Sequence, residues 1–324
     1  MSPRTRISQP ERHAASPRVT VVGAAGVGLV YRVSRWPEIG ETLLAGDGRM
    51  MCGGKAANQA MAIAKLGGTV DFVSAVGSDA MADVVFATMR KFGIRVEHMQ
   101  RSSAPTLTGV VIVSADGSNR IVVDPAATGK VSPADIEKQS EVIGANSVCL
   151  VSGDGFPDAA ALAALTIARR AGVVTIFNPA PPPSPELRAA ILRESSYVTP
   201  NEAEARVLSD VDSDDPEVLV RAIIGRGAQA VVMTLGERGA FVSDPAAGIE
   251  TLVPAPHVEK VVDTSGAGDA FNGALAIALA SGHGIVNAVR FACAAAAIIT
   301  QGPGLEDALP LWEGLSVPPV GAAQ

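Results

Sequence analysis

Short β-branched segments alternate with alanine-rich segments of helical periodicity along most of the chain. The candidate strands are RVTVVG, VDFVSAVG, SVCLVSG, VVTIFNP, YVTPN and AVVMTLG. Helical stretches follow most of them, at residues 58–66, 159–171, 202–208 and 215–225. This alternation is typical of a parallel sheet that is covered by helices on both faces. The pattern therefore predicts a doubly wound, mainly parallel α/β fold.

Two segments depart from this rhythm and predict a second, smaller sheet. Residues 29–51 alternate apolar and polar positions without a helix, and residues 105–124 read as two β-branched runs joined through ADGSN, which is a hairpin signal. We expect these segments to form a small β-sheet lid beside the main domain. The predicted organisation is a flexible tail over 1–17, one domain over 18–315 and a second tail over 316–324.

Composition narrows the classes of protein and partner. The 324 residues are 48% hydrophobic and 18% charged, which is typical of a globular chain rather than a disordered one. The net charge of −7 offers no electrostatic attraction for nucleic acid or an anionic membrane, and we expect neither as a partner. Three widely spaced cysteines favour free thiols in a reducing compartment, so we expect a cytoplasmic protein.

Two glycine-rich stretches resemble nucleotide-binding motifs only superficially. The glycines of VVGAAGVG are spaced G-x-x-G-x-G, and a strand-like run follows where a dinucleotide site needs a helix. The stretch CGGKAAN carries Ala56 where a Walker loop has its Ser or Thr. Neither a nicotinamide oxidoreductase nor a P-loop enzyme is predicted.

The stretch DTSGAGDAFNGA places a turn of small residues before a helix that is expected to begin near Asp269. The backbone amides of Gly266, Ala267 and Gly268 would face outward at the positive end of the helix dipole, which suits a phosphate whose charge grows during transfer. Asp269 would then accept the proton of an attacking hydroxyl group. The alternative is a plain glycine turn with Asp269 as a helix-start acid. Asp263 would either hold a cation or cap the turn.

DTSGAGDAFNGAL resembles the C-terminal signature of the ribokinase-like (PfkB-type) carbohydrate kinases, and GGKAANQAMAIAKLG resembles their N-terminal signature. TPNEAEA, MTLGERGA and NPAP match the family in kind and order. The resemblance implies an enzyme that transfers the γ-phosphate of ATP to a hydroxyl group of a small sugar or nucleoside. It also implies a homodimer.

The resemblance assigns roles to several positions. Asp269 would be the catalytic base, and the amides of residues 266–268 would form the anion hole. Gly54, Lys55 and Asn58 would contact substrate hydroxyl groups, with Asp154 as a further sugar-contacting acid. Without the resemblance, Lys55 would read as a solvated residue at a helix start.

The remaining assignments concern ATP and metal ions. Asn201 and Glu204 would lie near the ATP phosphates and the hydration shell of Mg²⁺, although N-x-x-E is also a capping box. Thr234, Gly236 and Gly239, together with Gly266 and Gly268, would border the nucleotide. Glu204 is the expected Mg²⁺ residue, and the remaining metal residues would form a monovalent-cation site that suits K⁺: Asp263, Ser265 and Gly304.

One part of the family pattern is absent. Gly26 and Gly28 stand where ribokinase relatives carry Asn and Asp, so polar groups that define ribose are missing. The acceptor is therefore left open between another sugar, a nucleoside and an acidic or phosphorylated sugar. Arg32 and Arg35 would either meet the negative charge of such a sugar or be ordinary surface arginines. A nucleoside kinase of the same fold and a catalytically silent binding protein are the alternatives to a sugar kinase.

Overall fold

A computed structural model describes residues 16–116 and 118–302 of the chain. The tails predicted at 1–17 and 316–324 therefore lie almost wholly outside the described residues. In chain order the strands are β1 (Arg18–Val22), β2 (Gly26–Arg32), β3 (Asp47–Gly53), β4 (Thr69–Val76), β5 (Met99–Arg101), β6 (Leu107–Val113), β7 (Asn119–Asp124), β8 (Val148–Ser152), β9 (Val174–Asn178), β10 (Tyr197–Val198), β11 (Ala230–Thr234), β12 (Ala240–Asp244) and β13 (Ile249–Val253).

The helices lie between these strands and after them. They are α1 (Lys55–Lys65), α2 (Ala80–Lys91), α3 (Pro133–Glu137), α4 (Ser140–Ala145), α5 (Asp158–Arg170), α6 (Pro185–Glu194), α7 (Glu202–Ser209), α8 (Pro216–Gly225), α9 (Ala267–Ala280) and α10 (Ile285–Ile299). Within the part of the chain that the structure describes, no helix has the length and hydropathy needed to cross a membrane.

The main sheet has nine strands in the order β13–β12–β11–β10–β9–β8–β1–β4–β5. Its strands are parallel except at one edge, where β12 pairs antiparallel with both β11 and β13. The predicted doubly wound, mainly parallel sheet is confirmed, whereas the antiparallel edge was not predicted.

Helices cover both faces of the main sheet because its strands are apolar on both sides. In β8, Val148 and Leu150 join a core with α1, α2, α9 and α10, while Cys149 and Val151 join a second core with α5 to α8. Successive side chains of a strand point to opposite faces, which explains this division. All three cysteines are buried, and none is in a disulfide among the described residues.

The second sheet, called the lid sheet below, contains β3, β2, β6 and β7 in that order. Strand β6 pairs antiparallel with β7, which confirms the predicted hairpin, and pairs parallel with β2. The chain enters the lid sheet from β1 through residues 23–25 and leaves it directly into α1. The first turn of α1 therefore lies where the lid sheet meets the main sheet.

Candidate active site

Helix α9 begins at Ala267, two residues earlier than predicted, directly after a left-handed turn. Gly266 has φ 80°, a conformation that favours glycine, and no side chain caps the helix. Among the described residues, the amides of Gly266, Gly268 and Asp269 donate to no protein acceptor. The Ala267 amide donates to the Thr264 carbonyl oxygen at 3.2 Å, so the prediction of an outward-facing amide is wrong at this position.

Asp269 lies in the first turn of α9 and is 7% exposed. Both of its carboxylate oxygens accept hydrogen bonds from consecutive residues of α1. Asn58 Nδ2 donates to Oδ2 at 2.8 Å, and Gln59 Nε2 is 3.4 Å from Oδ1. The side chain is therefore a held, buried carboxylate rather than a solvated acid at a helix start.

The environment of Asp269 changes its acidity. Burial raises the pKa of the Asp269 carboxyl to about 6, against the opposing influence of the Lys55 charge and of the hydrogen bonds from Asn58 and Gln59. The negative charge of Asp154 adds to the increase. A carboxyl with a pKa near 6 is mostly ionised at neutral pH and still has useful affinity for a proton, which suits a general base.

Helices α1 and α9 approach closely enough to make these contacts because Gly273 has no side chain. A Cβ at this position would lie 2.7 Å from the Ala62 Cβ and 2.8 Å from the Gln59 carbonyl oxygen. Gly273 follows Asp269 by one helical turn. Neither Gly273 nor Gln59 was singled out from the sequence, although both belong to the two signature stretches.

The predicted sugar-binding residues surround the start of α1. A Cβ at Gly54 would lie 2.6 Å from the Ala24 carbonyl oxygen, so the loop that leaves β1 packs tightly against the loop that enters α1. The Asp154 carboxylate accepts the Lys55 backbone amide at 2.9 Å and so provides an N-terminal cap from a distant loop. The structure thus brings Gly54, Lys55, Asn58 and Asp154 together beside Asp269.

The two glycines that depart from the family pattern differ in the space around them. A Cβ at Gly26 would lie 2.3 Å from the Leu107 carbonyl oxygen, which the present packing does not allow. A Cβ at Gly28 would meet only Met51, at 3.8 Å from its Cγ. The lid sheet therefore has room for a side chain at Gly28 and none at Gly26.

A cavity of about 860 Å³ opens on the other side of the α9 turn. It is lined by the predicted nucleotide residues Thr234, Gly236, Gly239 and Gly268. Small and apolar side chains that no motif had indicated form much of the remaining wall: Ala255, Pro256, Val261, Cys293, Ala296 and Ala297. The volume suits a nucleotide, and the presence of Gly268 in the wall brings the cavity up to the amides of the turn.

Asn201 and Glu204 form the capping box that their spacing predicted. The Asn201 side chain accepts the Glu204 amide at 2.8 Å, and the Glu204 carboxylate accepts the Asn201 amide at 2.9 Å. Burial raises the pKa of Glu204, while this hydrogen bond and the charge of Lys55 lower it. Lys55 therefore acts electrostatically on both Glu204 and Asp269.

Asp263 caps the turn ahead of α9, since its Oδ1 accepts the Ser265 amide at 2.8 Å. The third residue expected at the cation site, Gly304, lies outside the described residues. Across 16–116 and 118–302, no group of three or more His, Cys, Asp or Glu side chains is arranged to hold a metal ion. Any metal here would rely on carbonyl groups, water or the substrate for its other ligands.

Comparison with known proteins gives a consistent result over nearly the whole chain. The model of the pfkB family carbohydrate kinases matches residues 16–312. The ribokinase of Mus musculus is 37% identical over 274 residues, covering 83% of each chain.

Two solved structures have the same fold. The ribokinase of Thermotoga maritima has a TM-score of 0.81 at 30% identity, covering 91% of this chain and 96% of that one. The Arabidopsis thaliana ribokinase complexed with ribose and ATP has a TM-score of 0.83 at 26% identity, covering 93% of this chain and 97% of that one. The chain therefore belongs to the pfkB family of carbohydrate kinases, and it is an ATP-dependent sugar kinase of the ribokinase type.

Proposed function

We propose that the chain transfers the γ-phosphate of ATP to a hydroxyl group of a free sugar that is held between the lid sheet and the start of α1. The observation that carries this proposal is the position of Asp269. This buried carboxylate lies beside Lys55 and Asn58 on one side, and its neighbour Gly268 lines the cavity on the other.

The sugar side of the reaction depends on Asp269 and the first turn of α1. The attacking hydroxyl group donates its hydrogen bond to the Asp269 carboxylate, which orients the oxygen toward the phosphorus atom. As the new P–O bond forms and the bond to ADP breaks, the proton passes to Asp269. Lys55, Asn58 and the Asp154 carboxylate hold other hydroxyl groups of the sugar, because ammonium and amide groups donate and carboxylates accept.

The phosphate side depends on the turn before α9. Charge that develops on the transferred phosphoryl group is met by the amides of Gly266, Gly268 and Asp269 and by the positive end of the helix. The Ala267 amide becomes a fourth donor only if its 3.2 Å turn hydrogen bond opens. The adenosine portion of ATP occupies the cavity beside Thr234, Gly236 and Gly239.

We assign a magnesium site near Asn201 and Glu204 and a potassium site at Asp263, Ser265 and Gly304. Magnesium prefers oxygen ligands and keeps several waters, so we expect the Glu204 carboxylate to meet the ion through such a water. When bound with ATP, magnesium would neutralise phosphate charge. At the potassium site, the turn of Asp263 and Ser265 supplies oxygen atoms at the start of α9.

The acceptor that we favour is a pentose such as ribose, because relatives named ribokinase match most of the chain. The absence of a side chain at Gly28 removes one polar contact and leaves space beside Met51. We therefore expect weaker selection at the sugar hydroxyl groups near Gly28 than an acidic side chain there would provide. Nucleosides remain the alternative acceptor class.

We further propose a homodimer that forms through the lid sheet. Its exposed apolar residues have no cover within the described chain: Met50, Met51, Ile121, Val122 and Val123. Met50 and Val122 lie on one face of this sheet in a row with Leu29 and Val110, whereas Met51 and Val123 lie on the opposite face. An exposed apolar row such as the first favours association. Light scattering should give twice the chain mass, and Val122→Asp should reduce it to that of a monomer.

We also propose the cytoplasm as the compartment, because the three buried cysteines are in no disulfide among the described residues, which is typical of a reducing environment.

A panel of acceptors tests the proposed reaction. Release of ADP from ATP is measured with ribose, 2-deoxyribose, other pentoses, hexoses and nucleosides, with a no-acceptor reaction to subtract ATP hydrolysis. Pentose-dependent ADP release supports the proposal. ADP release with nucleosides alone would replace the sugar with a nucleoside as the acceptor.

A further inference from the structure

The side chain of Gln59 is fully buried next to Asp269, and its amide has one definite orientation. Its Nε2 faces two acceptors, at 3.1 Å from Asn178 Oδ1 and 3.4 Å from Asp269 Oδ1. Among the described residues, its Oε1 has no hydrogen-bond donor. The reverse orientation would press an oxygen atom against these two oxygen acceptors, so the amide keeps its donor on the carboxylate even though Oε1 is left unpartnered.

The contact continues through the protein interior as a chain of hydrogen bonds. Asn178, at the end of β9, donates from Nδ2 to the Thr199 carbonyl oxygen at 3.1 Å. The Thr199 hydroxyl donates to Asn272 Oδ1 at 2.6 Å, and Asn272 Nδ2 donates to the Gly268 carbonyl oxygen at 2.9 Å. Asn178, Thr199 and Asn272 are all buried.

This chain joins the two parts of the site that must act together. One end holds a carboxylate oxygen of Asp269, and the other end holds the peptide that precedes Asp269 on the turn of free amides. A buried hydrogen-bonded network is stiff, because each hydrogen bond that breaks leaves a polar group without a partner.

We propose that Gln59 is a positioning residue of the phosphoryl transfer, which acts through Asn178, Thr199 and Asn272 to hold the Asp269 carboxylate in register with the Gly268 turn. The inference rests on the proposed role of Asp269 as the base. Gln59 touches neither the sugar nor ATP in this account. Its effect is expected on turnover rather than on the binding of either substrate.

The same contact affects the charge of Asp269. The groups that act on this carboxyl are Lys55, Asn58 and Gln59 from α1, together with Asp154 from the loop after β8. The hydrogen bond from Gln59 favours the ionised form. Without it, Asp269 takes up a proton at higher pH, so the acid side of the pH–activity profile moves upward.

The test compares Gln59→Met with Gln100→Met. Both changes replace a glutamine amide with an apolar side chain of similar length, but Gln100 lies on β5 and its Nε2 is buried without a hydrogen-bond partner. For Gln59→Met we expect kcat to fall about tenfold, with both KM values within about twofold of the wild-type values. We also expect the acid limb of the kcat/KM profile to shift to higher pH by roughly half a pH unit. Turnover and a pH profile like those of Gln100→Met would overturn the proposal.

A second variant keeps the test decisive if Gln59→Met fails to fold. Thr199→Val removes the hydroxyl group that donates to Asn272, so it breaks the chain of hydrogen bonds at Thr199 without touching Asp269. We expect a lower kcat with an unchanged acid limb. Where Gln59→Met does fold, the combination of the two changes should be non-additive. Wild-type kcat in Thr199→Val would show that the chain of hydrogen bonds does not position the site.

The outcome for Asp269 itself separates this inference from the proposed function. If Asp269→Asn keeps full turnover, the base role fails and the Gln59 inference fails with it. If Asp269→Asn is inactive while Gln59→Met behaves like wild type, the base role stands and only the positioning role is lost.

Discussion

Asp269→Asn should change the way in which stability depends on pH. The folded protein holds the pKa of this carboxyl at about 6, whereas the ordinary value is 3.8. A raised folded pKa stabilises the fold below the unfolded pKa, and that contribution is lost as the pH rises through the folded pKa. The wild-type protein should therefore lose stability, relative to the variant, between about pH 4 and pH 7.

The size of the effect follows from the two pKa values. Their separation of 2.2 units, from 3.8 to about 6, corresponds to about 3 kcal/mol when Asp269 is fully ionised. Between about pH 4.5 and pH 8, the free energy of unfolding of the wild type should fall by about 2 kcal/mol relative to that of Asp269→Asn. Hydrogen-bond losses to Asn58 or Gln59 shift this difference equally at every pH.

Urea unfolding at a series of pH values, with the same buffer ions, measures the difference directly. Glu97→Gln is the matched control, because it replaces a carboxyl with an amide at an exposed position. A pH-independent difference for Asp269→Asn would refute the reasoning, since it would mean that burial does not raise the pKa of this carboxyl.

Three further outcomes follow from the geometry of the site. First, kcat/KM should fall below about pH 6, because protonated Asp269 cannot accept the hydroxyl proton, and a profile flat down to about pH 5 would contradict this assignment. Second, Gly26→Ser should lower the free energy of unfolding by about 2–3 kcal/mol, whereas Gly28→Ser should change it by less than about 1 kcal/mol and alter the preference among sugars; urea unfolding and the acceptor panel measure both. Third, Gly239→Ala should lower it by about 3 kcal/mol and weaken ATP binding in calorimetry, because Gly239 has φ 100° and a Cβ there would lie 2.1 Å from the Val253 carbonyl oxygen.

The fold was largely predictable because strand and helix periodicities alternate along the chain. The antiparallel edge formed by β12 and β13 was missed, although the Pro245–Gly248 turn between these short strands is a hairpin signal. The start of α9 was placed two residues late because Gly268 is a poor helix former, although the structure includes it in the first turn of the helix.

Site residues could be predicted from the sequence only where the functional group of the side chain indicates its role. Asp269, Lys55 and Asn201 stand in recognisable motifs, and their residue types are typical of proton transfer, charge compensation and capping. The cavity wall of alanines and valines has no such signature, because its value lies in the space that small side chains leave. The roles of Gln59 and Gly273 depend on the contact between α1 and α9, which only the folded chain brings together.

The fate of the γ-phosphate tests the central assignment most directly. With ³²P in the γ position of ATP, a single turnover of the wild type with ribose should move the label onto the sugar. Asp269→Asn should form labelled sugar phosphate about 10²–10⁴-fold more slowly while calorimetry gives unchanged ATP binding, and Glu97→Gln should match the wild type. Transfer by Asp269→Asn at the wild-type rate would contradict the role of this carboxylate as the base.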